Sequence, residues 1–245
     1  MRPEEYANLE RVERDHWYYV GKRSIVKHWL NTPSTTHSGS KLLDCGAGTG
    51  AFAAEMQDAM HVTAMDDHQE SLDILRQRLP MGAVVEGNCT DIPLPSDAFD
   101  AVTALDVLEH IPDDIQAAKE LTRVLAPNGT LVVTVPAMMC LWSDWDVSLH
   151  HQRRYSKRML LELFESLPVA VKHCSYINVP VAPLVWAARK ARKFGIGTSS
   201  RAEDQIPPKL LNAALLATFV GLGCSRFNFP FGVGLLLVAR KHDQA

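Results

Sequence analysis

The segment that most constrains the fold is Lys41–Gly50, which reads KLLDCGAGTG. A short apolar run ends at a carboxylate, Asp44, and glycines follow at alternate positions from Gly46. Residues 51–57 are then rich in helix formers. Glycines permit a tight turn and leave room for a ligand to lie against the main chain. The segment therefore predicts a strand, a ligand-binding loop and a helix, which is the opening unit of a doubly wound α/β sheet.

The position of the acid separates two classes of ligand. A dinucleotide fingerprint spaces its last glycine one residue further on and needs no carboxylate before the first. Asp44 would repel a pyrophosphate, whereas it can neutralise a cationic ligand group and accept its hydrogen bond. Asp66 follows the next predicted strand, at the spacing where such sheets present a carboxylate to ribose hydroxyls. Together the two acids favour a positively charged nucleoside, and S-adenosylmethionine is the candidate.

A series of further motifs resembles the class I S-adenosylmethionine-dependent methyltransferases. The matching segments occur in the family's order and are Leu43–Gly50, Ala64–Asp66, Gly87–Pro95, Phe99–Asp100, Val107–Pro112 and Leu125–Leu131. The resemblance implies a Rossmann-like methyltransferase fold and transfer of a methyl group from S-adenosylmethionine.

The resemblance also implies a cofactor site on the glycine loop and the neighbouring strand ends. Its predicted members are Asp44, Gly46, Ala47, Gly48, Asp66, Asn88, Cys89 and Leu105. The loop residues hold the methionine half and Asp66 the ribose, while Asn88 and Cys89 lie near the adenine. Asn88 departs from the aspartate more common in the family, although its amide oxygen can still contact the adenine amino group.

Strands and helices alternate from Lys41 onward, which is typical of a parallel sheet with helices on both faces. We expect an α/β fold with a doubly wound, mostly parallel seven-stranded sheet, N-terminal helices and a helical insert before the last strand. The predicted strands are 41–45, 61–65, 83–86, 99–104, 130–135, 169–177 and 232–240. The predicted helices are 4–30, 49–58, 69–79, 114–125 and 157–167, the last capped by Ser156.

Four parts are predicted along the chain. They are an N-terminal helical lid and linker (1–40), a cofactor-binding core (41–178), a helical cap insert (179–228), and the final strand with its tail (229–245).

The insert allows two interpretations. Residues 180–193 join an apolar half containing Trp186 to a basic tail of Arg189, Lys190, Arg192 and Lys193, as in a segment that lies on an anionic membrane surface. Alternatively, its helices fold over the substrate pocket.

Two polar clusters follow the fourth and fifth predicted strands, at the edge where open α/β sheets bind ligands. Methyl transfer is an in-line displacement that chiefly needs alignment, and a base is required only for a hydroxyl or protonated amine acceptor. The predicted catalytic residues are His110, His150 and His151. Arg153, Arg154 and Tyr155 are predicted to bind the acceptor. The alternative is that both clusters are structural turns.

Charge and composition indicate which kinds of binding partner to expect. The net charge of −3 gives no global attraction to nucleic acid. Five cysteines without a Cys-x-x-Cys pair indicate neither a disulfide framework nor a zinc site, so no metal is predicted. The polar N-terminus is unlike a signal peptide, and the apolar run Leu210–Cys224 is too short to span a bilayer. A cytoplasmic location is expected, with peripheral membrane contact as the alternative for the insert.

The leading hypothesis is a methyltransferase that acts on an oxygen or nitrogen of a small acceptor, which is lipid-linked or amphipathic if the insert contacts membrane. A second hypothesis is a relative that binds the cofactor without turnover. A nicotinamide oxidoreductase is a third, which Asp44 and the glycine spacing disfavour. Lack of binding to a nicotinamide cofactor would eliminate it.

Overall fold

A computed structural model describes residues 3–32, 35, 37, 39–193 and 205–243. Seven strands in this part of the chain form one sheet in the order β3-β2-β1-β4-β5-β7-β6. Their bounds are β1 Lys41–Cys45, β2 His61–Asp66, β3 Ala83–Glu86, β4 Phe99–Leu105, β5 Leu125–Pro136, β6 Val169–Ile177 and β7 Gly234–Lys241.

The first five strands pair in parallel, and β7 runs antiparallel between β5 and β6. Central strands of such a sheet are covered on both faces, so they are apolar almost throughout. Leu42 and Leu43 show this, because they are both fully buried yet belong to different apolar clusters. The predicted doubly wound, mostly parallel seven-stranded sheet is confirmed.

Helices flank the sheet in the described chain. Their bounds are α1 Pro3–Val12, α2 Trp17–Leu30, α3 Ala51–Met56, α4 Gln69–Arg78, α5 Asp114–Val124, α6 Asp144–Ser148, α7 Lys157–Glu162, α8 Ala182–Lys193 and α9 Lys209–Gly223. Ser156 caps α7 as predicted, since its hydroxyl accepts from the Met159 amide at 3.2 Å. However, α7 ends at Glu162 rather than near residue 167.

The fifth strand begins earlier than expected. The predicted strand covers 130–135, but Leu125 already pairs with Phe99 and β5 extends from there to Pro136, through the turn-forming residues Pro127 to Gly129. Asn128 takes a left-handed φ of 62°, and the register shifts between Phe99 and Ala101. The turn is therefore an irregularity within the strand, since asparagine tolerates this conformation.

The N-terminal segment is broken into two helices. The helical pattern over 4–30 runs through residues 13–16, where the chain turns between α1 and α2. His16 causes the new start, because its Nδ1 accepts a hydrogen bond from the Tyr18 amide at 3.3 Å. Glu13 is almost fully buried and accepts from the Thr49 hydroxyl, which joins the break to the glycine loop.

Two helices, α8 and α9, lie between β6 and β7. The second packs along α2, with the Phe219 ring stacked on Tyr18 at 5.8 Å. Close approach depends on small residues, since a Cβ at Gly223 would lie 2.2 Å from Ile25. Residues 194–204 of the predicted insert, and the side chains of residues 192–193, lie outside the described part. Among the helices described, none is long and apolar enough to cross a membrane.

Candidate active site

A cavity of about 510 Å³ opens at the carboxyl edge of the sheet. The glycine loop after β1 lines it, and we call this part the donor end; residues following β4 and preceding α7 also line it, and we call them the acceptor end. Residues of helices α1, α2 and α8 complete the lining. The N-terminal helices and the insert therefore meet over a single space that connects the predicted cofactor loop with the predicted acceptor cluster.

The glycine loop needs glycine for two different reasons. Gly46 and Gly48 both have positive φ, 65° and 56°, a region that L side chains rarely adopt. A Cβ at Gly46 would also lie 2.6 Å from Val107. At Gly48 the space beyond the backbone is open, and this residue lines the cavity. The loop thus exposes bare backbone to whatever occupies the cavity.

Asp44 is 3% exposed and lines the cavity at the foot of this loop. The Thr103 hydroxyl donates to its Oδ1 at 2.6 Å. Burial raises the pKa of Asp44 to about 7, the Thr103 hydrogen bond opposes this, and the nearby charge of Asp66 raises it further. A cationic ligand in the cavity would supply the positive counter-charge that the Asp44 carboxylate lacks in the free protein.

The other predicted cofactor residues divide into two groups. Ala47 and Leu105 line the cavity. Asp66 instead holds the glycine loop in place, because its carboxylate accepts hydrogen bonds from the Gly48 amide at 2.9 Å and from the His68 amide at 3.0 Å. The lining also leaves out Asn88, which donates to Asp67, and the buried Cys89. Contacts of these three with ribose and adenine remain predictions.

Lys22 of α2 closes the cavity above the strand ends. Its ammonium forms an ion pair with Asp106, the residue after β4, and lies 4.8 Å from the centre of the Tyr18 ring. Burial alone would lower the pKa of Lys22, but Asp106 and Tyr18 reverse the sign and raise it. Asp106 has a φ of 56° and accepts from Thr134 at 2.9 Å. Sequence patterns pointed to neither member of this pair as a site residue.

His110 and His151 meet at the acceptor end, although they lie 41 positions apart in the chain. Their ring centres lie 4.7 Å apart in an edge-on arrangement. Burial, followed by the neighbouring His151, lowers the pKa of His110 to about 4. Asp146 lies 3.0 Å from the His151 Nδ1 and fixes that ring. The fold therefore brings together two of the three histidines that were predicted to be catalytic, one from each cluster.

Glu109 is a site residue that sequence reasoning missed. It is fully buried, lines the cavity, and has no hydrogen-bond partner for either carboxylate oxygen among the described residues. Burial raises its pKa well above the ordinary value, and Asp106 adds to the effect. From the motif Val107–Pro112, only the neighbouring His110 was predicted as a site residue.

Asp146 contacts two arginine side chains at the acceptor end of the cavity. Its carboxylate accepts from the Arg154 Nε at 2.7 Å, and an Arg189 nitrogen from α8 lies 3.8 Å away. Burial raises the pKa of Asp146, but the bond to His151 and the charge of Arg154 outweigh this and lower it to about 2. Only the capping pattern of Ser143 and Asp146 at the start of α6 is visible in the sequence.

Three residues of the predicted acceptor cluster have other positions. His150 is exposed, takes a left-handed φ of 60°, and is not part of the cavity lining. Arg153 pairs with Asp114 and donates to the Pro112 carbonyl at 2.8 Å. Tyr155 is 1% exposed and its hydroxyl donates to Asp114 at 2.7 Å. None of these three residues is part of the described cavity lining, and their roles in the reaction stay predictions.

Comparison with known proteins agrees with this geometry. A model of the methyltransferase-domain family matches residues 43–133, which include the glycine loop and β4. A Mycolicibacterium smegmatis protein named as a probable S-adenosylmethionine-dependent methyltransferase is 31% identical over 132 residues, which cover 53% of this chain and 51% of that protein. Residues 43–133 therefore form a methyltransferase domain similar to those of the class I S-adenosylmethionine-dependent methyltransferases.

A second relative matches over a similarly limited length. A demethylmenaquinone methyltransferase of Clavibacter sepedonicus is 36% identical over 100 residues, which cover 39% of this chain and 41% of the relative. The match thus spans about half, or less, of these curated relatives. A solved S-adenosylmethionine-dependent methyltransferase of Thermotoga maritima has a TM-score of 0.64, 17% identity, and coverage of 97% and 95% of the two chains.

Proposed function

We propose that this protein transfers the methyl group of S-adenosylmethionine to an oxygen or nitrogen of a small amphipathic acceptor. One observation carries the proposal: a single cavity runs from the glycine loop to the His110 and His151 pair. Donor and acceptor bound at its two ends would therefore lie in the same enclosed space. Alignment of this kind is the main requirement of an in-line methyl transfer.

At the donor end, Asp44 and the open backbone of Gly48 would receive the methionine half. The carboxylate of Asp44 favours a cationic group, and the missing side chain at Gly48 allows the ligand to approach the main chain. Asp66 already orients the loop through the Gly48 amide. We assign the ribose hydroxyls to Asp66 and the adenine to the neighbourhood of Asn88 and Cys89.

At the acceptor end, His151 is the best-oriented base. Asp146 engages its Nδ1, so that the other ring nitrogen is available to take a proton from an acceptor hydroxyl or ammonium. Asp146 acts here as a positioning residue. Arg154 and Arg189 are both buried beside it and would attract an anionic part of the acceptor. When the methyl group moves, the carbon–sulfur bond breaks and its electron pair stays on sulfur.

The amphipathic character is inferred from α8. Val181, just before the helix, and Val185 line the cavity, whereas Leu184 and Trp186 are 70% and 48% exposed on the outside. The Lys190 ammonium lies 5.7 Å from the Trp186 ring. One helix thus offers apolar groups both to the cavity and to the exterior, which suits an acceptor that arrives from a lipid surface.

The basic tail expected on this helix is smaller than predicted. Arg189 is 6% exposed and turned toward Asp146, so it cannot contact lipid headgroups. Lys190 is the exposed cation of α8 among side chains that the structure describes, since those of residues 192–193 lie outside it. Each cation near an anionic surface contributes about 1 kcal/mol, so any membrane contact here depends mainly on apolar groups.

A second candidate function is methylation of a ring carbon in a prenylated quinol-like acceptor. Relatives named as a demethylmenaquinone methyltransferase and as a ubiquinone/menaquinone biosynthesis C-methyltransferase favour it, and such an acceptor is also amphipathic. A ring hydroxyl of this acceptor would lose its proton to the same base, and a ring carbon would take the methyl group. That carbon would then release its hydrogen as a proton to solvent while the hydroxyl is protonated again, which restores the aromatic ring. The two functions differ in the bond formed, because a carbon-bound methyl survives chemical ether cleavage and an oxygen-bound methyl does not.

The test supplies S-adenosylmethionine with a labelled methyl group to the purified protein, together with separated lipid-phase and aqueous-phase cell extracts. We expect label in a lipid-phase product, and tandem mass spectrometry then locates the methyl group. Label confined to aqueous products would refute the amphipathic acceptor. If the cofactor binds but neither extract becomes labelled, the chain is a cofactor-binding relative without turnover.

A further inference from the structure

Three potential metal ligands converge at the acceptor end of the cavity. Glu109, His110 and His151 each offer one ligand atom, and all three atoms lie within 4.8 Å of one another. All three residues line the cavity. Two ligand atoms on opposite sides of a metal are separated by about 4.2 Å at bond lengths of about 2.1 Å. Small side-chain rotations would therefore bring the three atoms around one ion.

The carboxylate of Glu109 provides independent support for a ligand. A fully buried carboxylate normally has hydrogen-bond partners, because leaving it without them is costly. Both oxygens of Glu109 lack one among the described residues. A metal ion in the cavity would satisfy this group directly.

The surroundings of His151 match a second requirement of metal sites. Histidine ligands usually donate their other ring N–H to a carboxylate, which fixes the tautomer and aims the free nitrogen at the ion. Asp146 supplies that carboxylate at 3.0 Å from Nδ1 and is itself fully buried. The Nε2 of His151 is then the nitrogen that remains for a metal.

Nearby cations do not block such a site, because they are already paired. Lys22 is bound to Asp106 and Arg154 to Asp146. With Glu109 ionised, the three carboxylates of Asp106, Asp146 and Glu109 balance the three cations of Lys22, Arg154 and Arg189, so the site carries no net positive charge that would repel an ion. The cavity provides the entry path.

We propose that Glu109, His110 and His151 bind one divalent transition-metal ion, with Zn²⁺ as the probe. Two imidazoles and one carboxylate suit Zn²⁺ and its neighbours better than Mg²⁺, which prefers oxygen ligands. Three protein ligands leave a coordination position toward the cavity, as in catalytic zinc sites. On the proposed function, that position would hold an acceptor hydroxyl. A bound ion would supply a lowered hydroxyl pKa, so that the proton would leave to solvent and the Nε2 of His151 would serve as a ligand instead of a base.

The test uses the full chain after treatment with a chelator, and it needs no acceptor or turnover. Calorimetry with Zn²⁺ should show one site per chain, and Mg²⁺ should bind far more weakly. His151→Ala and Glu109→Gln should lower Zn²⁺ affinity by about 100-fold or more. Asp146→Asn should lower it by about 10- to 100-fold, as for other partners of metal ligands.

Two matched controls separate this cluster from exposed groups. His150→Ala removes the adjacent histidine that does not line the cavity. His68→Ala removes a member of the group Asp66, Asp67 and His68, whose ligand atoms are also close together and of which Asp67 and His68 are exposed. Both variants should retain wild-type Zn²⁺ affinity.

The proposal is overturned if the wild-type chain binds no Zn²⁺, or if His68→Ala abolishes binding and His151→Ala does not. Should Glu109→Gln fail to fold by circular dichroism, His110→Gln takes its place with the same expected loss. The visible spectrum of bound Co²⁺ gives a second measurement, which should change in Asp146→Asn and stay constant in His150→Ala. Absent metal binding with normal methyl transfer would leave the proposed function standing.

Discussion

Replacing Asp44 by asparagine should stabilise the free protein and weaken cofactor binding at the same time. The side chain keeps an oxygen for the Thr103 hydroxyl, which donates at 2.6 Å, but it loses the buried charge. The ordinary carboxyl pKa of 3.8 is raised to about 7 by burial. At about 1.36 kcal/mol per pH unit, keeping this charge in the free protein at pH 8 costs roughly 4 kcal/mol, taken as an upper limit.

The sign of the pH dependence follows from the raised pKa. Between about pH 4 and pH 7 the folded protein holds a proton on Asp44 that the unfolded chain releases, so the wild-type free energy of unfolding falls as pH rises through this window. In Asp44→Asn this contribution is absent. The variant should therefore match the wild type below pH 4 and exceed its stability by up to a few kcal/mol at pH 8.

Binding of S-adenosylmethionine should change in the opposite direction. Loss of a charged hydrogen-bond partner costs about 1.5–3 kcal/mol, which is roughly a 10- to 150-fold weaker affinity. Wild-type affinity should itself fall as pH drops below 7, since the cation must then displace a proton from Asp44. Asp58→Asn, at an exposed position, is the control and should change neither quantity.

Urea unfolding between pH 4 and pH 8, combined with calorimetric titration of the cofactor at pH 6, 7 and 8, measures both effects. The reasoning is refuted if the asparagine variant is less stable than the wild type at pH 8. It is equally refuted if the two proteins bind S-adenosylmethionine with the same affinity.

Three further predictions test other parts of the account. Gly48→Val should abolish detectable cofactor binding in calorimetry while the circular dichroism spectrum stays native, because it places a branched side chain at φ 56° where the loop faces the cavity; undiminished binding would show that the ligand does not approach this loop. Gly223→Ala should lower the free energy of unfolding by about 1–3 kcal/mol, since its Cβ would lie 2.2 Å from Ile25. The control Gly221→Ala has open space around it in the same helix and should raise stability by about 0.5–1 kcal/mol, so equal effects of the two changes would contradict the packing of α9 on α2. Trp186→Ala with Leu184→Ala should reduce flotation with lipid vesicles while cofactor affinity stays constant, and a wild-type protein that never floats at low salt would eliminate the membrane contact.

Much of the sheet follows from local sequence. The strands before β5 begin at the predicted residues and end at them or one residue later, because apolar runs bounded by glycine or acid indicate buried parallel strands directly. The limits of β5 and α7 were less accurate. There, tertiary pairing extends a strand through the Pro127 to Gly129 turn, and local propensity does not contain that information.

The acceptor end was only partly predictable. His110 and His151 carry recognisable side chains after neighbouring strands, so their meeting follows from the rule for open α/β sheets. No sequence motif pointed to Glu109 or Asp146 as site residues. Their importance comes from burial of their carboxylates beside the two histidines, which is visible only in the folded chain. His150 points away from the cavity because its backbone takes a left-handed φ, and the two adjacent histidines in the sequence give no indication of this conformation. Arg189 likewise belongs to a basic run in the sequence but turns inward in the fold.

The central claim is that the cavity binds S-adenosylmethionine at the glycine loop through Asp44. Calorimetric titration of the wild-type protein with S-adenosylmethionine, S-adenosylhomocysteine and NADH at pH 8 tests it most directly. The account predicts one site per chain for both adenosyl ligands, competition between them, and no binding of NADH. The account would be contradicted by absence of S-adenosylmethionine binding, or by NADH occupying the same site.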